Sequence, residues 1–222
     1  MTPERLRALI ASRLDPLDAG ARERGPPERG EAAAELRSDF DLNPDLRPAA
    51  GGPLRDAAVL VPVLERPEGL TVLLTRRADA LSRHAGQIAL PGGRLDPGEG
   101  PVEAALREAW EEIGLEPRFV EPLGLSTRYE TVSGYVVTPV VALVRPGFEL
   151  RPSPEEVAEV FEAPFAFLMD PENHRREFYD FESGRRWFYV MPWRERRIWG
   201  ATAGILRELW VRLFGDGAGI AG

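Results

Sequence analysis

The chain has 222 residues, a formal net charge of −8 and no cysteine. That length suits one domain with extensions and a sizeable core, while the acidic balance excludes a general nucleic-acid binder, whose surface would be basic. The lack of cysteine excludes disulfides, zinc–thiolate centres and thiol nucleophiles, and fits a reducing, cytoplasmic setting.

"MTPERLRALIASRL" predicts an amphipathic helix over 3–14 with Leu6, Leu9, Ile10 and Leu14 on one face; its scattered charges are unlike a secretory signal. No run approaches the roughly 18 apolar residues that a membrane span requires, so no membrane association is expected. From 15 to 55 the chain is rich in Pro, Gly, Ala and Arg, and reads as an irregular surface arm without chemistry, with one helical turn near "GEAAAEL". "AAVLVPVLE" (57–65) and "LTVLLTRR" (70–77) predict a β-hairpin. A loop dense in Gly and Pro, "LPGGRLDPGEGP", then leads into a helix over 101–113, with Pro101 at its first position and Gly114 as its stop.

Further strands are expected in "FVEPLGLSTRYE" and "YVVTPVVALV", followed by a helical turn and a connection in "SPEEVAEVFEAPFAFLM". "RRWFYVMPW" predicts a strand and "RIWGATAGILRELWVRLF" a last helix, in which Ile198, Thr202, Ile205, Leu209 and Leu213 share helical spacing. Interleaved strands and helices predict an α/β (α+β) fold, a mixed sheet covered by helices on its faces. Trp187, Phe188, Tyr189 and Trp193 are expected in the core or on the sheet surface rather than as a base-stacking platform.

The helix over 101–113 poses a chemical question. At about 100° per residue, Glu108, Glu111 and Glu112 fall in one sector, with Val102, Leu106, Ala109 and Ile113 opposite. Like charges about 5.5 Å apart cost below ~1 kcal/mol in water but ~3 kcal/mol at an effective dielectric of 20. Acids in a last helical turn also oppose the macrodipole by ~0.3–1 kcal/mol each. Arg107 relieves only part of this through its i±4 partners Glu103 and Glu111. A solvated charged face and a seat for Mg²⁺ or Mn²⁺ both remain open from the acids alone.

From Gly93 to Leu115 the chain resembles the Nudix box, G-x5-E-x7-R-E-U-x-E-E-x-G-U, through Gly93, Glu99, Arg107, Glu108, Glu111, Glu112, Gly114 and Leu115. Ala109 stands where a bulkier aliphatic residue is usual. The resemblance implies the Nudix fold, a mixed β-sheet sandwiched between α-helices, over 56–215, with the helix and arm of 1–55 before it and a flexible tail over 216–222. It also implies hydrolysis of a diphosphate linked to another group, with Mg²⁺ or Mn²⁺ held mainly by Glu108 and Glu112 and assisted by Glu111. Glu99 is implied as an outer ligand or a partner of Arg107. The Gly92–Gly93 turn is expected to let backbone approach substrate or metal.

"LLTRRADALSRHAGQIALPGG" (73–93) further resembles the signature of coenzyme A pyrophosphatases, matching at Leu73, Leu74, Thr75, Arg77, Ala78, Gly86, Pro91, Gly92 and Gly93. Ser82 replaces an arginine and Leu90 a phenylalanine, with Arg83 adjacent. This resemblance implies cleavage of coenzyme A to adenosine 3′,5′-bisphosphate and 4′-phosphopantetheine, with Arg77 and Arg83 or Arg76 on the phosphates. The alternatives are a Nudix hydrolase of ADP-ribose or a dinucleotide, and a non-catalytic Nudix ligand sensor. His84 is expected to orient or hydrogen-bond, and His174 to lie at the surface. Glu155, Glu156 and Glu159 are candidates for a general base.

Overall fold

The computed structural model describes residues 1–18, 36–48, 54–80, 84–181 and 184–215. The expected turn near "GEAAAEL", the 216–222 tail, Ser82 and Arg83 lie wholly or largely outside these residues. In chain order the elements are α1 (Pro3–Arg13), β1 (Arg37–Ser38), β2 (Arg55–Arg66), β3 (Gly69–Arg77), β4 (Ile88–Ala89), β5 (Gly92–Arg94) and α2 (Pro101–Ile113). There follow β6 (Val120–Leu125), β7 (Tyr129–Glu130), β8 (Tyr135–Val144), β9 (Val157–Pro164) and α3 (Phe165–Leu168). The chain ends in β10 (Arg175–Phe181), β11 (Gly184–Trp193), β12 (Arg196–Trp199) and α4 (Ala201–Phe214).

β2 and β8 run parallel from Arg55↔Tyr135 to Leu64↔Val144 at the centre of the main sheet. Their side chains alternate between two cores. Ala57, Val61 and Val63 of β2 join Leu6, Ile10, Leu206 and Leu209 under α1 and α4. Ala58, Leu60 and Leu64 join Ala104, Ala105, Ala109 and Ile113 under α2. A strand buried on both faces reads as a nearly unbroken apolar run, as "AAVLVPVL" does. The expected mixed sheet between helices is therefore the observed one, extended by β3, β9 and the short strands β1, β4, β5, β6 and β7. β10, β11 and β12 form a separate antiparallel sheet.

Ala109 is fully buried against a face that also presents Ala58, so a small side chain lets α2 lie close to β2. Leu90, where the resembled signature has phenylalanine, is buried in the opposite core.

Several elements differ from expectation, β10 among them, which the sequence pattern did not signal. "VAEVFEAP" is strand β9, because pairing with β3 overrides the helical preference of its Glu and Ala. The last helix starts at Ala201, not near Arg197: Gly200 has φ +63°, and Ile198 belongs to β12.

The described part of the arm packs on the domain rather than lying loose over it. Leu36 and Phe40 are buried. Asn43 lines the part of β11 that β12 leaves uncovered: its Oδ1 accepts from the Trp187 N–H at 2.7 Å, and its Nδ2 donates to the Trp187 carbonyl at 2.8 Å. The side-chain amide thus stands in for a neighbouring strand.

Candidate active site

α2 starts with Pro101 after Gly100 and ends where Gly114 turns left-handed at φ +70°. The stretch after β8 then folds back over this end: Arg151 N donates to the Ile113 carbonyl and Ser153 N to the Glu112 carbonyl, both at 2.8 Å. These bonds satisfy two of the carbonyls a helix end leaves open and bring Glu156 beside α2's acids.

Arg107 organises the cluster. Its Nε and Nη2 donate to the two carboxylate oxygens of Glu99, each at 2.9 Å. Nη1 donates to Glu108 at 2.9 Å and to Glu111 at 3.0 Å, and Nη2 also reaches the Arg94 carbonyl at 2.9 Å. The fork holds Glu99 below the usual carboxylate range, chiefly through these hydrogen bonds.

Glu112 lies outside the fork. It is 5% exposed, and one carboxylate oxygen accepts from the Gly92 N–H at 3.2 Å. Burial pushes its pKa up to about 7 against that hydrogen bond, with Glu108 and Glu156 adding repulsion. Burial likewise raises Glu108, against the pull of Arg107. A solvated charged face would show neither shift.

The glycines serve the acids and the sheet. A Cβ on Gly93 would stand 2.5 Å from a Glu108 carboxylate oxygen. Gly92, at φ +154°, pairs β5 with β2, and a Cβ there would lie 2.6 Å from the Val59 Cα. Close packing on β2 requires Gly92, and a side chain at Gly93 would displace the Glu108 carboxylate.

Arg77 ends β3 at a register shift against β9, and its charge draws Glu112's pKa down. Its Nε is buried without a hydrogen-bond partner. A buried guanidinium nitrogen with no partner is costly unless an anion arrives to accept from it. Arg76 points elsewhere, to Asp79 at 2.8 Å and Glu159 at 3.8 Å. Gly86 donates to the Arg77 carbonyl at 3.2 Å and shapes the turn beside it.

Arg77, Gly92 and Gly93 are among the residues lining a cleft of about 640 Å³. Its walls include His84, whose Nδ1 lies 3.0 Å from the Gln87 side chain, and residues the sequence did not assign to a site: Asp39, Arg186, Tyr179 and Trp199. Trp187 and Phe188, expected in the core or on the sheet surface, line it too. Tyr189 and Trp193 pack against the main core as expected.

Of the candidate bases, Glu156 neighbours Glu108 and Glu112, whereas Glu159 is paired with Arg196. His174 corrects its surface expectation: it is 8% exposed, shares a hydrogen bond of 2.8 Å with the Leu168 carbonyl, and meets Trp210 edge-on at 5.9 Å.

Among the described residues no three acidic or imidazole groups already converge at ion-ligand geometry. The donor set nevertheless fits a hard divalent cation. Glu108 and Glu112 are carboxylates raised chiefly by burial and further by neighbouring acids, and Arg107 holds Glu108 and Glu111 by hydrogen bonds. No helix among the described residues is long and apolar enough to cross a membrane.

The chain matches the NUDIX domain family over residues 54–184. It is 44% identical over 160 residues to the uncharacterized Nudix hydrolase NudL of Escherichia coli O1:K1, covering 70% of this chain and 81% of the relative. NudL of Shigella boydii serotype 18 gives the same figures. Among solved structures, the Nudix hydrolase RenU of M. smegmatis aligns with 29% identity and a TM-score of 0.43, covering 50% of this chain and 71% of that one. A C. elegans Ap4A hydrolase binary complex aligns with 21% identity and a TM-score of 0.44, covering 50% and 80%.

Proposed function

This chain belongs to the Nudix hydrolase family, and on that premise we propose that it cleaves the diphosphate of coenzyme A and its derivatives, giving adenosine 3′,5′-bisphosphate and 4′-phosphopantetheine. The observation that carries the chemistry is the pairing of two desolvated carboxylates, Glu108 and Glu112, with an arginine, Arg77, whose buried Nε has no partner. Such a site is poised for a cation on one side and an anion on the other. The choice of coenzyme A among nucleoside diphosphate derivatives rests on the resemblance of 73–93 to the coenzyme A pyrophosphatase signature.

Glu108 and Glu112 would hold Mg²⁺ or Mn²⁺, with Glu111 joining from Arg107. Such a cation supplies positive charge on the phosphate oxygens and lowers the pKa of a bound water. Arg77 would donate to the diphosphate, satisfying its own Nε. Arg107 positions the cluster, holding Glu108 and Glu111 through one nitrogen and Glu99 through two. Glu156, which adds repulsion at Glu112, would accept a proton from the attacking water.

The test is turnover of coenzyme A, its 3′-dephospho form, ADP-ribose and NADH side by side with Mg²⁺ or Mn²⁺, with products identified. The account expects coenzyme A to be preferred and 4′-phosphopantetheine to be released. Equal or better use of ADP-ribose or NADH overturns the coenzyme A assignment, and tight binding without any product overturns the enzymatic role of the site.

A further inference from the structure

The fold treats the two sides of the β10–β11 hairpin differently. Where β12 leaves β11 open, the arm closes it through Asn43 and the Trp187 backbone. No strand among the described residues pairs with the outer edge of β10. That edge is seven residues long, follows β11 without a register break from Arg175↔Val190 to Phe181↔Gly184, and contains no proline. On an edge strand alternate residues aim their N–H and C=O groups outward, which makes a template for another strand. Bulges and prolines, two of the usual guards against such pairing, are missing from this one.

Aromatic surface collects at the same hairpin. Phe178 is 42% exposed, Tyr179 44% and Trp187 37%. Opposed residues of a ladder share a face and successive residues alternate between faces. Phe178 and Trp187 are opposed, with ring centroids 5.0 Å apart, and the Arg185 guanidinium stands 3.8 Å from the Phe178 ring centre. Tyr179 lies on the other face, where its hydroxyl accepts from Arg197 at 2.7 Å. Single exposed aromatics are ordinary, but several gathered beside an open edge mark an interaction surface.

The order of charges along β10 says what fits it. When two identical strands pair antiparallel about a two-fold axis perpendicular to the sheet, residues equally far from the centre oppose one another. Phe178 is the middle residue of β10, so the register that uses the whole strand opposes Phe178 to itself. The same register sets Arg176 opposite Asp180 of the second copy, twice, and opposes no like charges anywhere. Arg176, Phe178 and Asp180 share a face, so pairing extends contacts already present. The Trp187–Phe178 pair continues into its symmetry mate as one aromatic row. Asp180, which Arg185 holds at 2.8 Å, gains Arg176 of the second copy on its other side. Centring on Glu177 or Tyr179 instead opposes Arg176 or Asp180 to Phe178 and shortens the ladder. Charges on an edge strand normally repel a second strand; here their sequence is self-complementary.

We propose that β10 is a dimerisation edge, to which a second copy of this chain adds its own β10 antiparallel and centred on Phe178. Two three-stranded sheets then become one continuous sheet. The partner is the same chain because the complementarity is that of the strand with itself.

The experiment uses the full chain. Sedimentation velocity is expected to show the wild type moving from monomer toward dimer between about 2 and about 200 µM. Phe178→Lys sets two like charges opposite each other, and Arg176→Glu sets acid against acid. Each is expected to raise the dimer dissociation constant about tenfold or more with far-UV circular dichroism unchanged, because both side chains are exposed. The chain has no cysteine, so one introduced thiol reports the register. Phe178→Cys brings its two thiols face to face, within disulfide reach, whereas Arg175→Cys leaves its pair roughly 20 Å apart along the strands. With diamide as oxidant, Phe178→Cys is expected to form covalent dimer at least tenfold faster than Arg175→Cys. A wild type that stays monomeric to the highest concentration overturns the proposal. A dimer that both charge variants leave intact, or equal disulfide formation at the two positions, places the interface elsewhere and overturns it as well.

Discussion

Replacing Glu112 by Gln is expected to have opposite effects on stability and activity. The carboxyl is raised from an ordinary 4.5 to about 7 in the folded chain, mainly by burial. A folded pKa above the unfolded one means that the folded state binds more protons between those values, so stability falls as pH rises through the window from about 4.5 to 7. At 1.36 kcal/mol per unit, the wild type without metal carries a penalty of about 3 kcal/mol above pH 7 that is absent near pH 4. Gln keeps an oxygen for the Gly92 N–H and has no charge to desolvate. In EDTA, Glu112→Gln is therefore expected to be about 3 kcal/mol more stable than the wild type at pH 8, or roughly 6–12 °C in Tm, with the gap closing near pH 4. Mg²⁺ is expected to raise the wild-type Tm and leave the variant's unchanged, while turnover falls at least a thousandfold. Thermal denaturation against pH, with and without metal, reads all of this. A variant less stable than the wild type at pH 8, or a gap independent of pH, refutes the reasoning. The predicted result, a variant more stable and inactive, makes the site an instance of stability given up for function.

Arg107→Ala removes the shared partner of Glu99, Glu108 and Glu111 and is expected to lower kcat/KM about 10–100-fold while raising the Mg²⁺ concentration needed for half-maximal rate; Arg107→Lys should recover little, lacking the fork. Gly93→Ala drives a methyl group into the Glu108 carboxylate, so activity should fall about tenfold or more with far-UV circular dichroism unchanged. His174 is held below its ordinary value of 6.5, chiefly by burial. Its contribution to stability is thus present above that value and lost as pH falls toward the folded pKa. Urea denaturation from pH 7 to 5 should show a falling midpoint in the wild type and a flatter profile in His174→Gln.

What was legible in the sequence follows from what sets each feature. The turn carrying Glu108, Glu111 and Glu112 could be read because a helix fixes the angles between neighbours in the chain, and the box spacing from Gly93 to Leu115 follows from that geometry. The central strands could be read because burial on two faces leaves an apolar run in "AAVLVPVLE" and "YVVTPVVALV". The packing of the arm on β11 could not: Asn43 and Trp187 are 144 residues apart, and no local pattern encodes their pairing. β9 was hidden because its sequence favours a helix and its partner β3 decides otherwise. His174 looked exposed among the polar residues of "PENHRRE", yet the Leu168 carbonyl and Trp210 hold it inside. The one acid that sequence could not single out from its neighbours, Glu156, is distinguished only by where Ser153 is tied to α2.

The most direct measurement is a calorimetric titration of Mn²⁺ into the wild type and into Glu112→Gln, run beside coenzyme A turnover over the same concentrations. Saturable uptake by the wild type that is lost in the variant, with turnover rising along the same curve, is the predicted result. Equal uptake by both proteins, or cleavage that persists undiminished in excess chelator, contradicts the claim that this helical turn seats the cation on which hydrolysis depends.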